Sequence, residues 1–173
     1  MSQKRGYWWI VAIAVLGAIS FFFDRQILNI INLTQNSVFD KILAIFDPIY
    51  LYAGLFLLIV IMLIIKKDKK MLMNFGIAVV LTLLFVFFMK LLVARERPFE
   101  LIDYILNTNV QDYSFPSNHS AIIFAMLPFL IKVLGKLKGL WITLAVLVGF
   151  SRAYFGIHYV SDIIFGALIG FLI

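Results

Sequence analysis

The sequence predicts an all-α fold, a bundle of six membrane-spanning helices. Of its 173 residues, 64% are hydrophobic and only 14% are charged, against roughly 25% charged in an ordinary soluble domain. The mean hydropathy of +1.04 agrees with a membrane protein. Because the apolar segments occupy most of the chain, we expect one integral-membrane domain over residues 1–173.

A bilayer span needs about 20 mainly apolar residues, and six segments approach or exceed that length. They are residues 7–23, 49–65, 72–93, 119–134, 140–155 and 159–173. The first follows Lys4 and Arg5, as the core of a signal peptide would, but it is long enough to span and is expected to be retained. The last lies at about the lower limit for crossing.

Two longer segments separate the spans on one side. In residues 24–48, Ser37 precedes apolar residues at helical spacing, which predicts a capped short helix lying in the membrane interface. We favour a structural role for it over guidance of a lipid substrate. In residues 98–116, the spacing of Glu100, Asp103 and Asp112 matches no calcium or magnesium loop, which favours a solvated loop.

The basic residues predict the orientation in the membrane. With the amino terminus in the cytoplasm, nine of the fifteen Lys and Arg residues flank spans on the inner side: Lys4, Arg5, Lys66, Lys67, Lys69, Lys70, Lys132, Lys136 and Lys138. The positive-inside rule therefore places both termini in the cytoplasm. These cations explain the basic character of the chain by attraction to anionic lipids, so no nucleic-acid partner is expected.

Lys90 lies near the end of the third span, and Arg97 and Pro98 follow it. Residues seven apart lie close to two helical turns, so Lys90 and Arg97 could project from one helix face toward one anion. Arg97 can bind two phosphate oxygens with its planar fork, and Pro98 indicates a helix end. Taken alone, Lys90 could simply extend its ammonium to the interface.

Pro116, Ser117, Asn118 and His119 begin the fourth span. Ser and Asn are good helix caps, and the free backbone donors of a first helical turn favour an anion. The sequence therefore predicts a phosphate cradle here. Plain helix capping with a histidine at the interface is the alternative for this tetrapeptide considered by itself.

A third polar cluster joins Ser151 and Arg152 to His158 and Asp162. The last two are four apart and would share a helix face. A carboxylate there can accept from one imidazole nitrogen and leave the other nitrogen's lone pair free to attack. A core histidine satisfied by an aspartate is the competing interpretation, but ionisable groups within a membrane are costly, so a full set of them favours function.

Two imidazoles, several cations and one carboxylate are the groups needed to pass a phosphoryl unit to histidine and then to water. The rival class is a non-enzymatic anion or lipid-phosphate transporter that binds with the same cations. Paired halves or interrupted spans would indicate a transporter, and the sequence has neither. A metal site at the two histidines is weaker, with Asp162 as the nearby carboxylate. The chain has no cysteine, which excludes disulfides, thiolate ligands and a cysteine nucleophile.

The three clusters resemble the signatures of the type 2 phosphatidic acid phosphatase family, integral-membrane lipid phosphatases related to glucose-6-phosphatase and vanadium haloperoxidases. The first signature, Lys, six residues and Arg-Pro, reads Lys90 to Pro98. The second, Pro-Ser-Gly-His, reads Pro116 to His119 with Asn118 where Gly is usual. The third, Ser-Arg, five residues, His, three residues, Asp, reads Ser151 to Asp162 without departure.

The resemblance implies that His158 is a nucleophile oriented by Asp162, and that His119 protonates the leaving alkoxide and later activates water. Phosphate oxygens would be bound without a metal or other cofactor by Lys90, Arg97, Ser117 and Arg152, with Asn118 in a binding role. The implied substrate is a lipid phosphomonoester or a polyprenyl diphosphate at the extracytoplasmic face. Membrane lipids are the other expected partners.

Overall fold

The structure, a computed structural model, describes residues 8–46, 49–98 and 113–173. Every regular element within these ranges is helical, and the comparisons given below agree with the predicted all-α class. The α-helices are α1 (Trp8–Asn32), α2 (Ser37–Leu43), α3 (Ile49–Ile65), α4 (Lys69–Val93), α5 (Asn118–Val133), α6 (Lys138–Tyr154) and α7 (Val160–Leu172). Short 3-10 turns occur at Ala44–Phe46 and Gly135–Leu137.

Each of the six predicted spans coincides with a helix, but their lengths differ. In the part of the chain that the structure describes, four stretches suffice by length and composition to cross a bilayer: Trp8–Asn32, Ser37–Ile65, Lys69–Val93 and Gly135–Tyr154. α5 and α7 are shorter apolar helices, about 24 and 20 Å long at 1.5 Å per residue. These two short helices are the ones that begin at the predicted polar clusters.

The prediction for the end of the first span was wrong. The sequence placed Asp24 in an outer segment because a charge ends the apolar run, whereas α1 continues to Asn32 and buries Asp24 within the bundle. The reason is tertiary, since the carboxylate of Asp24 forms an ion pair with Arg95 from the end of α4. A buried carboxylate is tolerated when a cation and hydrogen bonds satisfy it.

The short helix predicted after residue 36 is present as α2, with its cap one residue earlier than expected. The side chain of Asn36, rather than Ser37, accepts from the backbone N–H groups of Val38 and Phe39. A hydrogen bond joins the middle of α2 to the end of α6, because the Tyr154 hydroxyl donates to Asp40 Oδ1 at 2.8 Å. The acidic residues Glu100, Asp103 and Asp112 lie outside the described residues.

The apolar core lies between α3, α4, α5 and α6. Ile59, Phe75, Leu130 and Ala145 are fully buried there, while the outer faces of the same helices expose large apolar side chains. Such an extensive exposed apolar surface requires a non-aqueous environment. The molecule is therefore an integral membrane protein.

α5 and α7 pack closely because α7 presents glycine to α5. A Cβ added at Gly166 would lie 2.6 Å from the carbonyl oxygen of Ser117, and one added at Gly170 would collide with the carbonyl of Ala121. Small residues four apart allow two helix backbones to approach in a membrane protein. This contact fixes the start of α5 against the middle and the last turn of α7.

The two ends of the bundle differ in chemistry. At the end that we name the basic end, the α3–α4 and α5–α6 turns carry Lys66 to Lys70 and Lys132 to Lys138, and Lys66 Nζ donates to the Val133 carbonyl at 2.9 Å. The rings of Trp9 and Phe171, near the two described chain ends, lie 5.3 Å apart. The starts of α5 and α7 and the ends of α4 and α6 lie at the opposite end, which we name the site end.

Candidate active site

Lys90 and Arg97 both reach the site end, but not from one helix face. α4 ends at Val93, and Ala94 adopts a left-handed conformation (φ 45°, ψ 39°) that turns the chain out of the helix. The predicted shared face is therefore wrong, since Arg97 lies in a non-helical connector (residues 94–98). Lys90 is buried in the last turn of α4, where its ammonium donates to the Tyr113 carbonyl.

His158 also lies outside a helix. α6 ends at Tyr154, Gly156 has the positive φ of 63° that glycine tolerates, and the N–H of His158 donates to the Arg152 carbonyl at 3.1 Å. The prediction that His158 and Asp162 share a helix face is wrong, because α7 begins at Val160. The two side chains nevertheless meet, with 3.6 Å between Nδ1 and Oδ2.

The hydroxyl of Ser114 joins His158 to Asp162. Ser114 Oγ donates to Asp162 Oδ2 at 2.5 Å and lies 3.3 Å from His158 Nδ1. Since 3.6 Å exceeds a direct hydrogen bond, the imidazole can donate to the serine, which donates onward to the carboxylate. The backbone N–H of Tyr159 donates to the same Oδ2 at 2.9 Å, so the carboxylate is held in place.

The opposite edge of the imidazole faces a cation. Arg97 Nη1 lies 3.5 Å from His158 Nε2 and donates to the Ile157 carbonyl at 3.1 Å. Burial lowers the pKa of His158 to about 4, and the positive charges of Arg97 and Lys90 act in the same direction, while the contact with Asp162 opposes them. The imidazole is therefore neutral at pH 7, with a lone pair available on Nε2 if Nδ1 carries the proton.

Arg152 occupies the last turn of α6 and is 1% exposed. Its Nε and Nη2 donate to Ser151 Oγ at 3.2 and 3.1 Å. Because Arg152 O also accepts from the His158 backbone, the arginine and the histidine of the third signature are held in one turn. The guanidinium of Arg152 is thus a buried positive charge in the last turn of α6.

Ser117 is the N-cap of α5, as the sequence predicted, and its side chain accepts from the N–H of Ser120 at 3.4 Å. The Ser117 N–H donates to the Asp162 carbonyl at 3.0 Å, which joins the second signature to the third. Asn118 and His119 form the first turn of α5. The His119 ring packs against Tyr52 of α3 at 5.1 Å between centroids.

Sequence reasoning missed Arg95, Asp24 and Ser114. Arg95 Nη1 forms an ion pair with Asp162 Oδ1 at 2.7 Å, and its Nη2 pairs with Asp24 Oδ2 at 2.8 Å. The sequence offered two signals, the acid Asp24 at the end of an apolar run and a second arginine two residues before Arg97. A charged group within a membrane protein requires a partner. Ser114 gave no such signal, because its role depends on residues 44 and 48 positions away.

A cavity of about 470 Å³ opens beside the site between α1 and the connector. Its polar walls include Arg25, Gln26 and Arg97, and its apolar walls include Phe21 and Phe22. The cavity therefore combines an exposed apolar side with charged walls formed by three arginines and two acids: Arg25, Arg95, Arg97, Asp24 and Glu96. Among the residues that the structure describes, no three His, Asp or Glu side chains form a group that could hold a metal ion.

An integral-membrane phosphoric ester hydrolase is the class of protein that this bundle and the homologues below define. A model of the PAP2 superfamily matches residues 71–173, which include all three signatures. The chain belongs to the PAP2 superfamily. The resemblance noted in the sequence is thereby confirmed.

Individual relatives agree with this assignment. An undecaprenyl-diphosphatase of Sulfolobus acidocaldarius is 27% identical over 97% of this chain and 88% of its own length. The crystal structure of a transmembrane PAP2 type phosphatidylglycerolphosphate phosphatase from Bacillus subtilis has a TM-score of 0.74 at 21% identity, covering 94% of this chain and 90% of that one. LpxE of Aquifex aeolicus has a TM-score of 0.69 at 26% identity, covering 87% and 91%.

Proposed function

We propose that this chain is a metal-independent lipid phosphatase that hydrolyses a lipid phosphomonoester or a polyprenyl diphosphate through a phosphohistidine on His158. The observation that carries the proposal is the orientation of one imidazole. Its Nδ1 is directed to Ser114 and Asp162, while its Nε2 is directed to Arg97. A neutral histidine in this position offers its lone pair toward the place where a bound anion would lie.

In the first step, Nε2 of His158 attacks phosphorus and the bond from phosphorus to the leaving oxygen breaks. His119 gives its proton to that oxygen, so the lipid alcohol or lipid monophosphate leaves. In the second step, His119 takes a proton from water, the water oxygen attacks phosphorus, and the N–P bond breaks to release inorganic phosphate. Each histidine ends in the protonation state in which it began.

The cations would stabilise the transferring group. Charge in phosphoryl transfer spreads over three equatorial oxygens, and fixed donors in a water-poor site stabilise that charge without reorganisation. Lys90 and Arg152 are buried and Arg97 borders the imidazole. We assign these three residues to phosphate binding, with Ser117 and Asn118 contributing the backbone donors of the first turn of α5.

A lipid substrate is supported by the cavity beside Arg97, whose apolar side is formed by Phe21 and Phe22. Phe22 is 79% exposed on the outer surface of the bundle. A headgroup could bind at the cations while its acyl or prenyl chain remains in the bilayer. The names of the relatives, an undecaprenyl-diphosphatase and a phosphatidylglycerolphosphate phosphatase, support both substrate classes.

An extracytoplasmic site is supported by the basic end, because the positive-inside rule puts that end in the cytoplasm. The chain has no cysteine, so Leu33→Cys at the site end and Lys136→Cys at the basic end each introduce one thiol. In intact cells, a membrane-impermeant thiol reagent should label only the Leu33→Cys protein. Labelling of the Lys136→Cys protein alone would show the opposite orientation, with the site end in the cytoplasm.

The activity is tested with purified protein, a chelator, and a panel of phosphatidate, phosphatidylglycerol phosphate and undecaprenyl diphosphate. We expect phosphate release from at least one substrate and its loss in His158→Ala, with Lys132→Gln at the basic end as the control. Brief incubation with phosphorus-labelled substrate should leave an acid-labile, alkali-stable label on the protein. Unchanged turnover in His158→Ala would exclude the nucleophile assignment.

A further inference from the structure

We propose that Arg95, held by Asp24, is a positioning residue for hydrolysis that acts through Asp162 on His158. The proposal rests on the proposed function of His158. Arg95 occupies one of the six unspecified positions of the first signature, between Lys90 and Arg97, and lies in the connector. Its contacts differ from those of the cations assigned to phosphate.

The two oxygens of Asp162 have separate tasks. Oδ2 accepts from Ser114 and from the Tyr159 backbone and faces His158. Oδ1 accepts from Arg95 Nη1 at 2.7 Å. Because the side chain of Asp162 is fully buried, the direction of its Oδ2 depends on what holds Oδ1. Arg95 therefore sets the orientation of the carboxylate that orients the imidazole.

Asp24 holds the other side of the guanidinium. Arg95 Nη2 donates to Asp24 Oδ2 at 2.8 Å, and Arg95 Nη1 also donates to Ser161 Oγ at 2.8 Å. Asp24 accepts in turn from the backbone N–H of Ser161 at 3.0 Å and from its hydroxyl. A carboxylate from α1 and one from α7 thus share a single planar fork, which a lysine point charge cannot reproduce.

Aromatic rings complete the enclosure. The guanidinium carbon of Arg95 lies 4.0 Å from the centroid of the Tyr159 ring and 4.4 Å from that of Phe21. Such cation–π contacts restrict the guanidinium to one plane. Nη1 and Nη2 of Arg95 each donate to a carboxylate, so its charge is offset by Asp162 and Asp24. We infer that Arg95 organises the histidine rather than binding phosphate.

If the contacts of Arg95 only held α1 against α7, weakening them should lower the unfolding midpoint and leave kcat unchanged. Conservative variants distinguish this structural role from a positioning role. Arg95→Lys keeps the charge but cannot hold both carboxylates, and Asp24→Asn supplies one oxygen where the carboxylate supplies two. Both variants avoid leaving two buried carboxylates without a cation. Asp40→Asn is the matched control, because it weakens another contact between helices at the site end with no link to Asp162.

We expect Arg95→Lys to lower kcat roughly 10- to 100-fold while KM stays within about twofold, as for a group that supports a catalytic residue. Asp24→Asn should lower kcat in the same direction. Asp40→Asn should leave kcat unchanged, and the thermal unfolding midpoint in detergent is measured for every variant. Wild-type kcat in folded Arg95→Lys would overturn the proposal, as would a rise in KM without a fall in kcat.

A double-mutant cycle tests the path through Asp162. If Arg95 acts by orienting that carboxylate, Arg95→Lys should reduce the residual kcat of Asp162→Asn by no more than about twofold. Independent, multiplicative losses would overturn the proposal. His158→Ala is measured in parallel: turnover retained there contradicts the proposed function itself, whereas an inactive His158→Ala beside a fully active Arg95→Lys contradicts only the role of Arg95.

Discussion

Ser114 Oγ lies 3.3 Å from Nδ1 of His158 and donates a hydrogen bond to Oδ2 of Asp162. The hydroxyl thereby fills the gap in a His–Asp pair whose own atoms are 3.6 Å apart. Removing it leaves Nδ1 with no acceptor at hydrogen-bond distance among these side chains. Ser114, three residues before Ser117, therefore helps to orient the imidazole.

Ser114→Ala should therefore lower kcat about tenfold with little change in KM, since one lost hydrogen bond of about 1.4 kcal/mol corresponds to that factor. Phosphate release from the preferred lipid substrate is the measurement. Ser37→Ala, at the exposed start of α2 at the same end of the bundle, is the control. A wild-type kcat for Ser114→Ala would mean that Asp162 orients the imidazole unaided.

The pKa of His158 can be measured directly, because the chain has only two histidines. In nitrogen-labelled protein, one imidazole should titrate near pH 4, and its signal should be missing in His158→Ala. Burial disfavours the imidazolium ion, so lowering the pH below neutrality should leave this ring uncharged until about pH 4. Titration of the His158 ring near 6.5 would contradict its buried environment.

The same shift predicts the shape of the pH–rate profile. His158 must be neutral to attack, so the acid limb of kcat/KM, which reports the free enzyme, should lie near pH 4 rather than near 6.5. His119 must be protonated to assist the leaving group, so turnover should fall at alkaline pH as that proton is lost. A profile without an alkaline limb would argue against His119 as the general acid.

Because Gly166 is closely packed against α5, its substitution should lower both stability and activity. A methyl group there would lie 2.6 Å from the Ser117 carbonyl oxygen, so Gly166→Ala must push the start of α5 away from α7 at a cost of about 1 to 3 kcal/mol. The unfolding midpoint and turnover should both fall. Gly76→Ala in α4 meets no atom within 4 Å and should stabilise the helix by about 0.5 to 1 kcal/mol.

Asn118 stands where the second family signature usually has glycine, and its backbone torsions do not require glycine. Among the described residues other than glycine, positive φ occurs only at Lys67 and Ala94, so Asn118 occupies an ordinary helical conformation. If its backbone N–H serves the phosphate, Asn118→Gly should change kcat/KM by less than about threefold and stability by about 1 kcal/mol or less. A large rise in KM would instead indicate that the side-chain amide binds substrate.

Several features of the fold followed from the sequence because their causes are local. The bounds of α3 agree with the predicted 49–65 because a continuous apolar run between polar residues determines them. The cap at Ser117 followed from a tetrapeptide. The pairing of His158 with Asp162 also followed from short spacing, although the reason offered, a common helix face, was wrong.

The sequence by itself determined the membrane class and the helical segments, and it predicted the residues of a phosphate site, because hydropathy, capping and motif spacing act over a few residues. Only the tertiary structure decided which oxygen of Asp162 meets Arg95, that Asp24 continues inside α1, and that Ser114 reaches His158. Those contacts join residues 44 to 137 positions apart. Buried charges take their partners from whichever helices the fold brings alongside, and no local pattern records that choice.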